Sequence, residues 1–158
     1  RGADLHPFIG YNFRISELNA AVGLAQIRKL DTILAIQRKN NALLRSHLEQ
    51  VPGITFREIP DPSGDNASFL SWFLPTVAQT QAVVEEMKAQ GVLAGNFYWH
   101  NNNLHYIRKW GRLKNAETLN RLNNAQRNAL LGLQTQDFSI SDGIMGRCIS
   151  TAISLLWT

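Results

Sequence analysis

Apolar residues at helical spacing dominate the first third of the chain and limit what it can fold into. Ile15, Leu18, Val22 and Ala25, then Leu30, Ile33 and Leu34, and later Leu44 and Leu48 fall into groups spaced by three and four positions, the repeat of one helix face. Arg28, Lys29, Arg38, Lys39 and Arg45 occupy the opposite face. Ser16 stands at the N-cap position, with Glu17 in the first turn, where a carboxylate meets the positive end of the helix dipole. Pro52-Gly53 stops the run. The pattern predicts one long helix, bent midway, of a length suited to crossing between two bodies.

The rest of the chain reads as alternating short elements. Arg1 to Tyr11 is a loop punctuated by Pro7 and Gly10. Ile54 to Ile59 alternates like a strand, and Pro60 to Asp65 is a turn-rich loop. Ser68 to Leu74 reads as a second strand, Gln79 to Gln90 as a helix ending at Gly91, and Val92 to Trp99 as a third strand loosened by Gly95. His105 to Leu113 reads as a short helix, Asp142 to Cys148 as another, and Ile149 to Leu156 as a last strand. The segment from Asn115 to Leu133 shows no pattern that places it. Strand, strand, helix, strand in that order predicts an α+β fold, a small sheet covered by helices.

The chain has 158 residues, a net charge of +4 and 44% hydrophobic residues, a size and composition for one packed domain. No stretch of about eighteen consecutive apolar residues occurs, so no segment is expected to cross a membrane as a helix. No signal peptide is visible. The single cysteine, Cys148, cannot form an internal disulfide, which fits a reducing cytoplasm. The chain starts at Arg1 rather than Met, and the apolar run Ile153 to Thr158 stops without a polar tail. Both ends read as cuts in a longer protein. Arg108, Lys109, Arg112, Lys114, Arg121 and Arg127 form a basic stretch against Glu117, which attracts anions in general without choosing among them.

The first constellation that carries chemistry is Gly10-Tyr11-Asn12-Phe13-Arg14-Ile15-Ser16-Glu17-Leu18, continued by Ala20-Ala21, Gly23, Gln26 and Leu30-Asp31. Asn12 offers an amide and Arg14 a fork of donors, both just before a helix N-terminus that favours anions. Taken alone, this is either a phosphate or carboxylate site or a loop tied to its neighbours.

This string resembles the segment found in the DegT/DnrJ/EryC1/StrS family of sugar aminotransferases, and the resemblance covers nearly the whole chain. It implies the C-terminal part of an aspartate-aminotransferase-like, type I pyridoxal-phosphate fold. Residues 1–30 would be the tail of the large cofactor-binding domain and the start of a connecting helix. Residues 31–158 would be the C-terminal small domain, truncated at its end. The resemblance implies that Asn12 reaches across a homodimer interface to the cofactor phosphate of a second copy, with Arg14 in the same region. It implies amino transfer to a keto or aldehydo sugar, with glutamate as donor, in cell-surface sugar biosynthesis.

The second constellation is Asn96 to Tyr106, a strand running into a loop dense in aromatic, amide and imidazole groups. Aromatic walls suit the aliphatic faces of sugar rings, and amides meet hydroxyls. The resemblance makes Leu104-His105 a substrate-cleft pair. Tyr98, His100, His105 and Arg108 are accordingly the expected substrate contacts. A buried aromatic cluster is the other reading of the same residues. His100 and His105 lack the further ligands that a metal site needs, so no metal is expected. Cys148 shows no sign of activation and reads as a buried thiol.

The third is Asp142 to Thr158, where Ile153-Ser154-Leu155-Leu156-Trp157 replaces the Leu-Pro pair of many relatives. With Phe56 to Pro62 and Trp99 to Trp110, it resembles most the transaminases acting on C8 of a 3-deoxy-octulosonate sugar. Lys29, Lys39, Lys88, Lys109 and Lys114 all lack the short glycine- and threonine-containing setting of the family's Schiff-base lysine. No catalytic lysine is therefore expected on this chain, and the chain alone is expected to be inactive. Two rival readings remain: a basic nucleic-acid-binding module, supported by the aromatic and basic stretch Tyr98 to Lys114, and a catalytically inert dimerisation domain.

Overall fold

The computed structural model describes residues 14–92, 94–101, 106, 110–118 and 121–157. Its elements run α1 (Glu17–Ile27), α2 (Leu30–Leu48), β1 (Thr55–Phe56), β2 (Phe69–Phe73), α3 (Val77–Ala89), β3 (Asn96–Tyr98), a 3-10 turn (Trp99–Asn101), α4 (Gly111–Lys114), α5 (Asn124–Gly132), α6 (Ser139–Met145) and β4 (Cys148–Ala152). The strands form one antiparallel sheet in the order β1-β2-β4-β3. β2 and β3 both run antiparallel to β4 and so are parallel to each other. They are joined through α3, with β4 inserted between them. The α+β expectation holds.

The long helix is two helices. Ser16 caps α1 as the sequence predicts, its side chain accepting from the Asn19 N–H. The ladder then tightens: the Lys29 N–H bonds Gln26 O at 2.9 Å, three residues back, and the Ile33 N–H bonds Lys29 O at 3.0 Å to begin α2. Asp31 in the first turn of α2 favours that new start. The apolar stripe divides at the same place. Leu44 and Leu48 of α2 pack on the core, whereas α1 buries no residue and leaves Leu18 74% exposed.

The core lies between the sheet and α2 and α3. Leu70, Trp72, Val84, Tyr98, Ile149 and Ile153 form it, and Ile54, Phe56, Val83 and Met87 pack around them. Register puts Trp72 opposite Ile149, and Ile149 opposite Tyr98, so one sheet face supplies these side chains. Ile149, 1% exposed, is the most enclosed of them, and burying such a side chain contributes about 1.5–3 kcal/mol.

β4 also carries buried hydroxyls on both faces, and each is satisfied. On the core face Trp72 Nε1 donates to Thr151 Oγ1 (3.1 Å), which donates to Asn96 Oδ1 (2.5 Å). On the other face Trp99 Nε1 donates to Ser150 Oγ (2.7 Å), itself 2.5 Å from Ser71 Oγ. These bonds tie three strands and fix their register, because a slip of one residue would reverse every face.

Several boundaries differ from the sequence reading. β1 is two residues long, although the Arg57 N–H continues the pairing to Ser71 O. β3 starts at Asn96 because a turn at Gly95, φ +81°, precedes it. Helix α3 ends as predicted, with Gly91 at φ +71°. α4 occupies Gly111–Lys114, later than the helix predicted from His105, and Trp110 takes the cap position in a non-helical conformation. The segment that resisted placement contains α5, closed by a reciprocal capping box between Asn123 and Gln126. α6 begins at Ser139 and ends at Met145, so Cys148 belongs to β4. The last strand ends at Ala152; beyond it Asn40 holds the chain by the Ser154 and Trp157 carbonyls.

Candidate functional site

β3 and the 3-10 turn deliver the aromatic and imidazole groups of the second constellation. Tyr98 ends the strand inside the core, and its hydroxyl donates to Gly146 O at 2.9 Å, at the C-cap of α6. Burial pushes the phenol above its ordinary pKa, and the Gln81 side chain offsets part of that rise. The phenol therefore stays protonated and remains a donor. Two residues on, the His100 ring stacks against Tyr98 with centroids 5.8 Å apart and planes 29° apart. Its Nδ1 is buried and has no hydrogen-bond partner among the described residues, and a buried polar nitrogen left unpaired costs about 1–3 kcal/mol.

The surrounding turn is held on three sides. Tyr98 bonds Gly146, Trp99 bonds Ser150, and the buried Tyr106 donates its hydroxyl to Asp142 Oδ1 in α6. The sequence reading did not single out Tyr106, Asp142 or Ser150. Nothing in their spacing announces a contact between residues thirty-six positions apart.

Of the expected substrate contacts, the structure brings Tyr98 and His100 together. Tyr98 departs from its expected role: its hydroxyl is committed to main chain, and its ring is a core platform beneath His100. His105 and Arg108 lie outside the described residues, as does Asn12. Arg14 is exposed on the segment leading into α1. There Ser16 satisfies the Asn19 N–H, and the N–H groups of Glu17 and Leu18 have no intrahelical acceptor, as at any helix start. Glu17 in the same turn tempers the positive field. In the basic stretch Arg112 pairs with Glu117 at 2.9 Å. Cys148 is buried, and desolvation pushes its thiol up to about 11, as a structural cysteine requires. No described helix is long and apolar enough to cross a membrane.

An antiparallel sheet backed by helices, leading into an aromatic turn, defines a small α+β domain. The chain belongs to the DegT/DnrJ/EryC1/StrS aminotransferase family, whose model matches residues 2–135. Over 76 residues it is 30% identical to a GDP-perosamine synthase of Vibrio cholerae, a match covering 48% of this chain and 19% of that protein. Over 97 residues it is 30% identical to a dTDP-4-amino-4,6-dideoxy-D-glucose transaminase of Shigella dysenteriae, covering 58% of this chain and 25% of that protein. The matches thus span a quarter or less of these relatives' length.

Members of this family depend on pyridoxal phosphate, and the donor chemistry of this chain fits one end of that group. Arg14 at the mouth of α1 suits the phosphate. The described lysines do not suit the aldehyde end. Lys29 and Lys39 are exposed, Lys88 faces solvent beside Glu85, and the half-buried Lys114 lies at the end of α4.

Proposed function

We propose that this chain is the substrate-side and partner-facing part of a pyridoxal-phosphate-dependent transaminase that places an amino group on a keto or aldehydo sugar. The family match over residues 2–135 carries this reading. The names of both relatives describe amino sugars joined to a nucleotide, which makes a nucleotide-linked keto sugar the first acceptor to test. A 3-deoxy-octulosonate acceptor is the second, on the likeness of the C-terminal stretch; its carboxylate would call on Arg14 or Arg108. Glutamate is the proposed amino donor. Family membership also favours this reading over a nucleic-acid-binding module or an inert dimerisation domain.

In this reading residues 1–30 belong with the large cofactor domain and residues 31–158 form the small domain. The exposure of α1 supports that division: a helix apolar on most sides, with no buried residue, is built to be covered. The cofactor would supply the electron sink for amino transfer. Asn12 and Arg14 would hold its phosphate in a second copy of the chain, forming a homodimer. His100 would hydrogen-bond a sugar hydroxyl through the unpaired Nδ1, beside His105 and Arg108, while Tyr98 keeps its ring in place.

The test is amino transfer by the full-length protein from glutamate to a nucleotide-linked keto sugar, with an octulosonate in a parallel arm. Sugar-dependent formation of 2-oxoglutarate is the expected result. Full-length protein that binds the cofactor yet aminates neither sugar class would refute the substrate assignment.

A further inference from the structure

We infer that Tyr106 and Asp142 act as a positioning pair that fixes the His100-bearing turn for sugar binding, an inference that rests on the substrate reading given above. The two ends of α6 are each held by a phenol. Tyr98, at the end of β3, donates to Gly146 O at the helix C-cap. Tyr106, beyond the turn, donates to the carboxylate of Asp142 in the first turn. His100 lies between the two tyrosines in sequence and stacks on the first. Trp99, its immediate neighbour, is held by Ser150.

The chemistry of this pair argues for a positioning role. Tyr106 is 4% exposed. If only volume were needed there, a phenylalanine would fill it, and an apolar residue at position 142 would avoid bringing a carboxylate toward the interior. A polar pair replaced by packed apolar groups is often no less stable. What such a pair adds is direction. A phenol-to-carboxylate bond is short, charge-assisted and narrow in geometry, so it sets the distance between the chain at 106 and α6. Tyr98 does the same at Gly146, so α6 is tied to the chain on both sides of His100. His100 Nδ1, which no described residue satisfies, is thereby held at a fixed place. Preorganisation of this kind lowers the ordering cost of binding and acts on sugar affinity more than on the chemical step.

The experiment compares full-length wild type with Tyr106→Phe, Asp142→Leu and Asp142→Asn, measuring kcat and KM for the sugar and for the amino donor, with Tm as a control on folding. In the two variants that remove the bond, sugar KM should rise by about tenfold, with kcat and amino-donor KM within about twofold of wild type. Asparagine at 142 still accepts the phenol proton, so Asp142→Asn should recover much of the loss. Wild type without sugar amination would mean that the substrate reading itself has failed. An active wild type whose Tyr106→Phe and Asp142→Leu variants change Tm alone, with sugar KM unmoved, would overturn the positioning role and leave the substrate reading standing.

Discussion

Asn40, in the middle of α2, donates from Nδ2 to the carbonyl of Ser154 at 3.0 Å, joining residues 114 positions apart in the chain. The same nitrogen reaches Trp157 O at 3.3 Å. Asn40 is buried, one of few polar residues that are. The next residue, Asn41, donates to the Ala67 and Phe69 carbonyls. Two consecutive amides thus fasten the helix both to the start of β2 and to the segment after β4. Replacing Asn40 with Ala removes the donor that the two part-buried bonds to Ser154 and Trp157 share. The expected loss is about 1–3 kcal/mol of unfolding free energy, read from the midpoint of a urea titration, with the m-value unchanged.

The hydroxyl relay on β4 makes a second prediction. Thr151→Val keeps shape and β propensity but leaves Trp72 Nε1 and Asn96 Oδ1 without their shared partner. The loss should be about 1–3 kcal/mol. Ser150→Ala, which loosens Trp99 and Ser71 together, should lower stability similarly and also weaken sugar binding, since Trp99 adjoins His100. Thermal unfolding of both variants beside sugar titrations separates the two effects.

Gly53 provides a steric test. Its φ is +85°, and a Cβ there would lie 2.8 Å from Pro75 Cγ. Both the left-handed backbone and the close approach of the proline ring resist a side chain. Gly53→Ala should destabilise by about 1–2 kcal/mol, whereas Gly91→Ala, with a positive φ but nothing within 4 Å, should cost less. Paired denaturation curves give the comparison.

Cys148 sets an alkaline limit. Burial raises its thiol from 9.0 to about 11. A folded pKa above the unfolded one means that the contribution is complete below pH 9.0 and is lost as pH rises toward 11. Stability should therefore decline across that window in wild type and less so in Cys148→Ala, and the thiol should react with a disulfide reagent at pH 8 only after unfolding. Rapid labelling of the native protein would contradict the buried placement.

Much of the fold was legible because its signals are local. The Ser16 cap, the Gly91 stop and the aromatic, apolar strand within Ser68 to Leu74 each depend on neighbours a few residues away, and each appears where the sequence puts it. A bend midway was expected, but its place at Arg28–Lys29 was not legible, since no Pro or Gly marks it and the apolar repeat runs straight through. α5 was missed although Asn123 and Gln126 spell its capping box, because it is only nine residues long and buries none of them. The site divides in the same way. The aromatic turn and His100 were visible as a dense polar and aromatic run. Tyr98 was expected as a substrate contact, with a buried aromatic cluster as the other reading, because an alternating strand does not declare which side faces the core. The Tyr106–Asp142 and Trp99–Ser150 bonds join distant parts of the chain, and no single-sequence pattern encodes a contact of that range.

The central claim is that this chain lends phosphate contacts to a cofactor site in a second copy. It is tested most directly by mixing two inactive full-length variants, one lacking the Schiff-base lysine and the other carrying Asn12→Ala with Arg14→Ala. In a two-fold dimer each mixed pair would rebuild one intact site, and random exchange should restore about a quarter of wild-type activity. A mixture no more active than its separate components, after subunit exchange has been verified, would contradict the account.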